Sequence, residues 1–146
     1  MILYTIGFTQ KPAQQFFEII RANDIKMLID VRLNNSSQLA GFSKGNDLEY
    51  FLSEICKCGY EHCDNFAPTK EIFDGFKGKK IKWAEFELEY NSLIKSRGSI
   101  DGFFDKYSKY RQVCLLCSEA TAELCHRRLL AEMIAEKYPK ISVKHI

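Results

Sequence analysis

The chain has 146 residues, the length of one ordinary domain. Hydrophobic residues make up 46% and charged residues 27%, which excludes an intrinsically disordered chain. The 21 Lys and Arg against 19 Asp and Glu leave a net charge of +2, which excludes a protein that attracts polyanions by bulk charge but allows a local phosphate site. Six Cys are many for a domain of this size, and their role is the first question.

The start of the chain lacks the basic segment and long apolar stretch of a secretory signal. No apolar run approaches the roughly 18 residues that a membrane helix needs. We therefore expect a cytoplasmic protein with no membrane partner, in which thiols stay reduced. A disulfide framework is accordingly not expected from the six cysteines.

The first part of the chain alternates between apolar runs and amphipathic segments. Residues 2–6 form a short apolar run, which predicts a first strand. Residues 26–31 are nearly continuously apolar, which predicts a second strand covered on both faces. Residues 12–23 carry apolar side chains at helical spacing, which predicts a helix. A polar loop follows at residues 34–45, and residues 47–57 again have the helical spacing.

The rest of the chain continues this alternation. We predict, in chain order, a short strand, a helical turn with a loop, two helices, a buried strand, a long helix and a last strand, at residues 59–65, 67–80, 83–95, 100–110, 112–117, 121–138 and 141–146. Strands that alternate with helices are typical of parallel sheets. The sequence therefore predicts a single α/β domain over residues 1–146, a Rossmann-like three-layer sandwich with a mainly parallel sheet.

Polar side chains follow three of the predicted strands, where ligands bind in parallel sheets. Asp30 and Arg32 follow the second strand, and their spacing puts both on one side of the pleat. A bidentate contact between the two is expected to be awkward, so we predict that both address one ligand. The alternative is that Asp30 caps a neighbouring backbone and Arg32 is solvated.

Cys125 and His126 are predicted in the first turn of the last helix, with Thr121 as its N-cap. The N–H groups there favour anions, so we expect a lowered pKa for the Cys125 thiol and a neutral His126 that acts as donor or base. The alternative is a core histidine bonded to a carbonyl at a strand end, with Cys125 as a small core residue.

The spacing of the cysteines argues against two of the possible pairs as ligands of one metal ion. Cys114 and Cys117 differ by an odd number on one strand and so point to opposite faces, and Cys56 and Cys58 lie about 200° apart on a helix. We therefore predict no metal and no cofactor. The zinc arrangement that best survives this test would use residues at the strand–helix junction, namely Cys117, Cys125 and His126.

Several short motifs occur in one order along the chain. They are Thr5-Ile6-Gly7, Asp30-Val31-Arg32 with Ser36 or Ser37 behind it, Phe42, Ala67-Pro68-Thr69-Lys70-Glu71, Leu116-Cys117-Ser118-Glu119, Cys125-His126-Arg127 and Val143-Lys144-His145-Ile146. Over essentially the whole chain this set resembles the domain of unknown function 488 family. The chain has Asn34-Asn35 where family members often carry proline. The resemblance implies a small cytoplasmic α/β domain and brings no established activity.

We predict an active or ligand site at the carboxyl ends of the strands, which takes a nucleotide, a phosphorylated small molecule or nucleic acid. Arg32 and Arg127 would hold anionic groups, and Glu119 or Asp30 would serve as general acid or base. Cys125 is either a nucleophile or structural. The candidate catalytic residues are Asp30, Glu119, Cys125 and His126, and the candidate ligand-binding residues are Thr5, Gly7, Arg32, Ser36, Cys117 and Arg127.

The alternative function is a non-catalytic module that binds nucleic acid or a protein. Phe8, the loop at residues 34–45 and the basic and aromatic stretch at residues 73–83 could form its surface. That stretch also fits a solvated lysine loop next to a core tryptophan. An enzyme predicts a concave pocket where the candidate side chains converge, whereas the module predicts a flat basic face.

Overall fold

The computed structural model describes residues 1–36 and 40–146. Part of the loop predicted at residues 34–45, including Ser37, therefore lies outside the described residues. Five strands form one sheet in the order β3-β2-β4-β1-β5, and every pair is parallel. The strands are β1 (Ile2–Gly7), β2 (Met27–Asp30), β3 (Gly59–His62), β4 (Gln112–Cys117) and β5 (Ser142–His145).

Six α-helices surround the sheet in the described residues. They are α1 (Ala13–Ala22), α2 (Gly45–Phe51), α3 (Lys70–Lys77), α4 (Trp83–Arg97), α5 (Phe103–Tyr107) and α6 (His126–Lys137). A π-helical turn at Leu52–Cys56 continues α2, and single 3-10 turns lie at Gly41–Ser43, Asp64–Phe66 and Ser108–Tyr110. In the described part of the chain, no helix has both the length and the apolar character of a membrane span.

The sheet divides the core into two layers. One layer, here the α6 face, joins Leu3, Ile29 and Leu115 of the sheet to residues of α4, α5 and α6. The other layer, the α1 face, joins Ile6 and Leu116 to residues of α1 and α2. Helices on both faces of a parallel sheet confirm the predicted three-layer α/β architecture, which is consistent with a Rossmann-like domain.

The side-chain alternation along β4 decides which cysteine faces which layer. Cys114 packs into the core of the α1 face, and Cys117 into the core of the α6 face. Their predicted separation to opposite faces is confirmed. The connection after β1 runs over the α1 face and the one after β4 runs over the α6 face, so the neighbouring ends of β1 and β4 form a topological switch point.

The last helix begins later than the sequence predicts. Its N-cap is Cys125, in an extended conformation, and not Thr121. The carbonyl of Glu119 accepts a hydrogen bond of 2.7 Å from Arg127 Nη1, and the Cys125 N–H bonds the Ala122 carbonyl in a turn. The chain between β4 and α6 is therefore held in a folded-back loop, which uses the residues that local propensity alone would make helical.

Two further segments differ in length from the prediction: the helical turn is longer than predicted and the helix after it is shorter. The segment at residues 67–80 contains α3, whose N-cap Thr69 accepts a hydrogen bond of 3.2 Å from the Ile72 N–H through its hydroxyl. The helix predicted at 100–110 is the single helical turn and a half of α5, because Gly102 before it has a left-handed conformation and a 3-10 turn follows it.

Candidate active site at the carboxyl end of β4

A cavity of about 230 Å³ opens at the switch point, between the end of β4, the start of α6 and helices α3 and α4. Its floor is formed by Cys117, Cys125 and His126, and its mouth carries Lys77 and Glu119. Four of the ten candidate site residues thus line one concave pocket. The other six candidates do not line this pocket, so the structure brings together only part of the predicted site.

The walls of the cavity are aromatic. Trp83 and Phe86 are close to parallel with ring centroids 5.2 Å apart, and Phe76 lies 5.5 Å from Trp83. Trp83 is the first residue of α4, so Phe86 lies one turn further along the same side of the helix. The guanidinium of Arg128 lies 5.8 Å from the centre of the Trp83 ring. Trp83 and Phe76 are therefore partly exposed walls, and the tryptophan is not a fully enclosed core residue.

His126 has a fixed orientation at the floor. Its Nε2 lies 2.8 Å from the carbonyl oxygen of Val31, which can only accept, so Nε2 carries the proton. In the neutral ring Nδ1 is then unprotonated, and it lies 3.8 Å from Cys117 Sγ. The hydrogen bond to a strand-end carbonyl is the one that the core-histidine alternative predicts, yet the other side of the ring faces the cavity floor.

The two thiols of the floor are coupled. The hydrogen bond from the Cys125 thiol lowers the pKa of Cys117, although burial opposes the shift. The pKa of Cys125 lies well above its ordinary value, because donating to Cys117 and burial both favour its protonated form. The prediction of a lowered pKa at Cys125 is therefore wrong. Cys125 precedes the helix as its N-cap and acts as the donor of the pair.

Lys77 and Glu119 form a salt bridge across the mouth of the cavity. Both side chains are about half exposed, so the pair contributes little to stability and either partner is available to a ligand. Lys77 belongs to the basic and aromatic stretch that the sequence assigns to the alternative binding surface. The fold brings that stretch, through Phe73 to Trp83, to the same cavity as the Cys-His element.

Asp30 and Arg32 lie on the α1 face and are buried. Arg32 Nε and Nη2 donate to the two oxygens of Asp30 at 2.8 and 2.6 Å, which is a bidentate ion pair. The prediction that this contact would be awkward is wrong. Arg32 lies beyond the end of β2, where the backbone no longer follows the pleat and the side chain folds back.

Further contacts complete the Asp30–Arg32 pair. The Tyr60 hydroxyl donates to Asp30 Oδ2 at 2.8 Å, and Arg32 Nη2 donates to the Ser43 carbonyl at 2.7 Å. The Arg32 guanidinium lies 5.1 Å from the centre of the Phe8 ring. Burial alone would lower the pKa of Arg32, but the hydrogen bond and charge of Asp30 outweigh it and raise that pKa. Neither Asp30 nor Arg32 lines the cavity at the end of β4.

The remaining candidates have structural contacts. Thr5 Oγ1 pairs with His145 Nδ1 of β5 at 2.7 Å. A Cβ added to Gly7 would overlap the carbonyl oxygen of Glu119, so the glycine is needed where the loop crosses β1. Arg127 is buried and holds the same carbonyl. Ser36 bonds Asn34 Oδ1 through both its N–H and its hydroxyl, in a local turn.

Sequence reasoning left out several residues that shape these two sites. Phe86 and Leu124 line the cavity, and Tyr60 and Ser43 complete the Asp30–Arg32 network. The sequence shows Trp83 and Phe86 as part of an apolar stripe on one helix face, but it does not show that this face packs over the end of β4. Tyr60 lies 30 residues from Asp30, and no local pattern links the two.

A larger apolar groove of about 340 Å³ lies between α1 and α2, lined in part by Phe17, Phe42, Phe51 and Ile55. Among the residues that the structure describes, its lining includes no thiol, no histidine and no buried charge. The cavity at β4 is the smaller of the two but combines a concave shape with titratable groups, so we take it as the candidate active site.

Fold and site together define a small α/β protein whose cavity opens at the carboxyl ends of a parallel sheet. The family model described as "Domain of unknown function DUF488" matches residues 12–134, and the chain belongs to this family. The resemblance of the ordered motifs is thereby confirmed. Comparisons with curated proteins and with solved structures gave no match.

Proposed function

We propose that this protein is an enzyme that binds a nucleotide-like or phosphorylated small molecule in the cavity at the end of β4. The observation that carries the proposal is an aromatic-walled cavity directly above a floor of two thiols and an imidazole. Aromatic walls favour a planar ring, and the floor supplies groups that react with or polarise it.

The size of the cavity limits what it encloses. Its volume of about 230 Å³ lies below the roughly 300–1,000 Å³ of sites for drug-sized ligands. We therefore expect one planar ring system no larger than a nucleobase inside, against Trp83 and Phe76. The remainder of the ligand would lie at the mouth, beside Lys77.

Lys77 is the cation that would hold an anionic group. A phosphate at the mouth would compete with Glu119 for the Lys77 ammonium, because both are anions and the salt bridge is half exposed. Glu119 released in this way becomes a general acid or base next to the bound ligand. Binding of the anion and readiness of the carboxylate are thus coupled in this proposal.

A second candidate function is the non-catalytic nucleic-acid module. It is favoured by the additional lysines that follow Lys77 in the chain, namely Lys79, Lys80 and Lys82. A strand of nucleic acid could stack a base on Trp83 and place its phosphates along these lysines. This function predicts binding of oligonucleotides that depends strongly on salt, with weak binding of mononucleotides.

Trp83 is the only tryptophan of the chain, so its fluorescence reports on the cavity wall. We expect adenosine 5′-monophosphate to quench it, and ribose 5-phosphate, which lacks the base, to leave it nearly unchanged. Lys77→Ala should weaken the binding of the monophosphate by about tenfold, which corresponds to the loss of one charge-assisted hydrogen bond. The same change should weaken the binding of adenosine much less. Lys109→Ala, an exposed lysine beside Tyr110 at the other end of β4, is the matched control.

Three results would contradict the proposal. The first is the absence of quenching by every mononucleotide tested, purine and pyrimidine. The second is equal weakening by Lys77→Ala and Lys109→Ala, which would mean that the lysine acts only through net charge. The third is quenching by a ten-nucleotide single strand alone, which would favour the binding module.

A further inference from the structure

We propose that Cys117, Cys125 and His126 bind a zinc ion that keeps its fourth position open toward the cavity. The proposal rests on the proposed function only for the ligand that such an ion would face. The binding of the metal itself can be measured without any ligand.

The first observation is the distance between the three donor atoms. The two sulfurs and a ring nitrogen of His126 all lie within 4.8 Å of one another, and the Cys117 Sγ to Nδ1 distance is 3.8 Å. Tetrahedral zinc, with Zn–S near 2.3 Å and Zn–N near 2.0–2.1 Å, separates its ligand atoms by about 3.5–3.8 Å. Cys117 Sγ also lies 3.9 Å from Nε2 of His126, so the ring and the thiol must turn relative to one another for Nδ1 to reach that geometry.

The second observation is the support of the histidine. Ligating histidines almost always donate their other ring N–H to a carboxylate, a carbonyl or water, which fixes the tautomer. His126 donates from Nε2 to the Val31 carbonyl at 2.8 Å, and this leaves Nδ1 as the donor atom toward the metal. The carbonyl belongs to the residue after β2, so the sheet itself orients the ring.

The third observation is the local backbone. Adjacent residues inside a helix point about 100° apart, which would separate Cys125 from His126. Cys125 instead lies outside α6 in an extended conformation, with His126 as the first helical residue. Both side chains therefore reach the same point beside Cys117.

The charge and the opening of the site agree with zinc. Two thiolates and one neutral imidazole balance the charge of Zn²⁺, so the buried floor would hold no net charge. All three residues line the cavity, which leaves one side of the ion accessible. Three protein ligands with an open position are typical of catalytic zinc, whereas structural zinc has four. Such an ion would supply a Lewis acid at the floor.

The test uses the full-length protein, reduced and freed of metal with a chelator, and then titrated with Zn²⁺ or Co²⁺. We expect one tightly bound ion per chain by elemental analysis, and with Co²⁺ a thiolate-to-metal charge-transfer band. Cys117→Ser and His126→Gln should each lose more than about a hundredfold in affinity, since loss of a supporting contact alone costs about 10–100-fold. Cys63→Ser, a half-buried thiol outside the cluster, is the control and should bind normally.

Wild type alone gives a second measurement that does not depend on the folding of variants. Zn²⁺ should protect two of the six thiols from a thiol reagent added to the native protein. The proposal is overturned if the wild type binds no metal after reduction, if Cys63→Ser loses binding as the cluster variants do, or if the protein as isolated carries a Cys117–Cys125 disulfide that still forms when Zn²⁺ is present.

The two proposals fail separately. Quenching of Trp83 by a mononucleotide in protein that binds no metal would leave the proposed function standing and remove the zinc site. If the protein binds one equivalent of zinc but no mononucleotide quenches Trp83, the zinc site stands and the proposed function fails.

Discussion

At the scale of single residues, the most constrained group is the carboxylate of Asp30. It is fully buried and accepts from three nitrogens of Arg32, namely the backbone N–H, Nε and Nη2, and from the Tyr60 hydroxyl. Removing one partner of a buried ion pair costs more than the pair contributes, because the other charge stays behind without compensation. Arg32 Nη1 already has no hydrogen-bond partner among the residues that the structure describes, so the loss of a further partner of this buried guanidinium would be costly.

Asp30→Ala should therefore lower the free energy of unfolding by about 3–5 kcal/mol, as measured by urea denaturation. The control is Glu132→Ala, which removes the partner of Arg128 in a surface pair at i, i+4 and should cost less than about 0.5 kcal/mol. Asp30→Asn keeps the shape of the side chain and serves if the alanine variant does not fold. Equal costs for Asp30→Ala and Glu132→Ala would contradict the assignment.

Tyr60 gives the same network a dependence on pH. Burial, and after it the charge of Asp30, raises the pKa of Tyr60 from 10.0 to about 12. A phenol with a raised pKa in the folded state stabilises it fully below the unfolded pKa near 10, and this contribution is lost as the pH rises through about 12.

Tyr60→Phe removes this contribution. The difference in free energy of unfolding between wild type and Tyr60→Phe should be constant from about pH 7 to 9 and shrink as the pH approaches 11. Urea unfolding at several pH values measures it. Tyr50→Phe, a change in a largely exposed tyrosine, is the control and should show no such trend. If the stability advantage of the wild type over Tyr60→Phe grew above pH 10, the pKa of Tyr60 would be lowered by folding and not raised.

At the scale of elements, the junction of β1, β4 and α6 depends on one glycine. Gly7 is paired with Cys117 in the sheet, and the carbonyl of Glu119 passes where a Cβ of residue 7 would lie. Arg127 of α6 donates to that carbonyl, and its Nη1 would lie 3.3 Å from the same Cβ. The loop between β4 and α6, which positions both cysteines of the cavity floor, is therefore fixed at a backbone contact that no side chain can share.

Gly7→Ala should destabilise the protein by about 3 kcal/mol, since the overlapping atom belongs to the backbone and a strand must shift to make room. Thermal unfolding measures the loss. Gly41→Ala is the matched control, because a Cβ there meets no atom of the described residues, and it should change stability by less than about 1 kcal/mol. A wild-type melting temperature for Gly7→Ala would show that the loop does not cross β1 in this way.

At the scale of the whole molecule, the sheet separates the two groups of polar residues that the sequence places together. The cavity with Cys117 and His126 lies on the α6 face, whereas Asp30 and Arg32 face α1 and α2. We infer that the first group binds and reacts and that the second stabilises the end of β2. The two groups meet at the carbonyl of Val31, the residue after Asp30, which accepts a hydrogen bond from His126.

A ligand titration tests this division. Tyr60→Phe on the α1 face should bind adenosine 5′-monophosphate with wild-type affinity, while Lys77→Ala at the cavity mouth loses about tenfold. Trp83 fluorescence measures both. A loss of the same size in Tyr60→Phe would place Asp30 and Arg32 in the binding site, as the sequence first suggests.

The sequence by itself determined the class of the fold and the separation of Cys114 from Cys117. Both follow from local rules, namely the continuous apolar runs of parallel strands and the alternation of side chains along β4. The motifs also predict the family, which the match over residues 12–134 confirms. Structure that depends on residues close to one another in sequence can therefore be predicted from the sequence alone.

Only the tertiary structure decided which of the candidate residues meet. The order β3-β2-β4-β1-β5 puts β4 between strands that precede it by more than 80 residues, and the α3–α4 segment folds its aromatic side chains over the end of β4. The start of α6 at His126 and the contacts that complete the Asp30–Arg32 pair likewise depend on the tertiary structure. Contacts between such segments are set by the packing of the whole core, which no local pattern records.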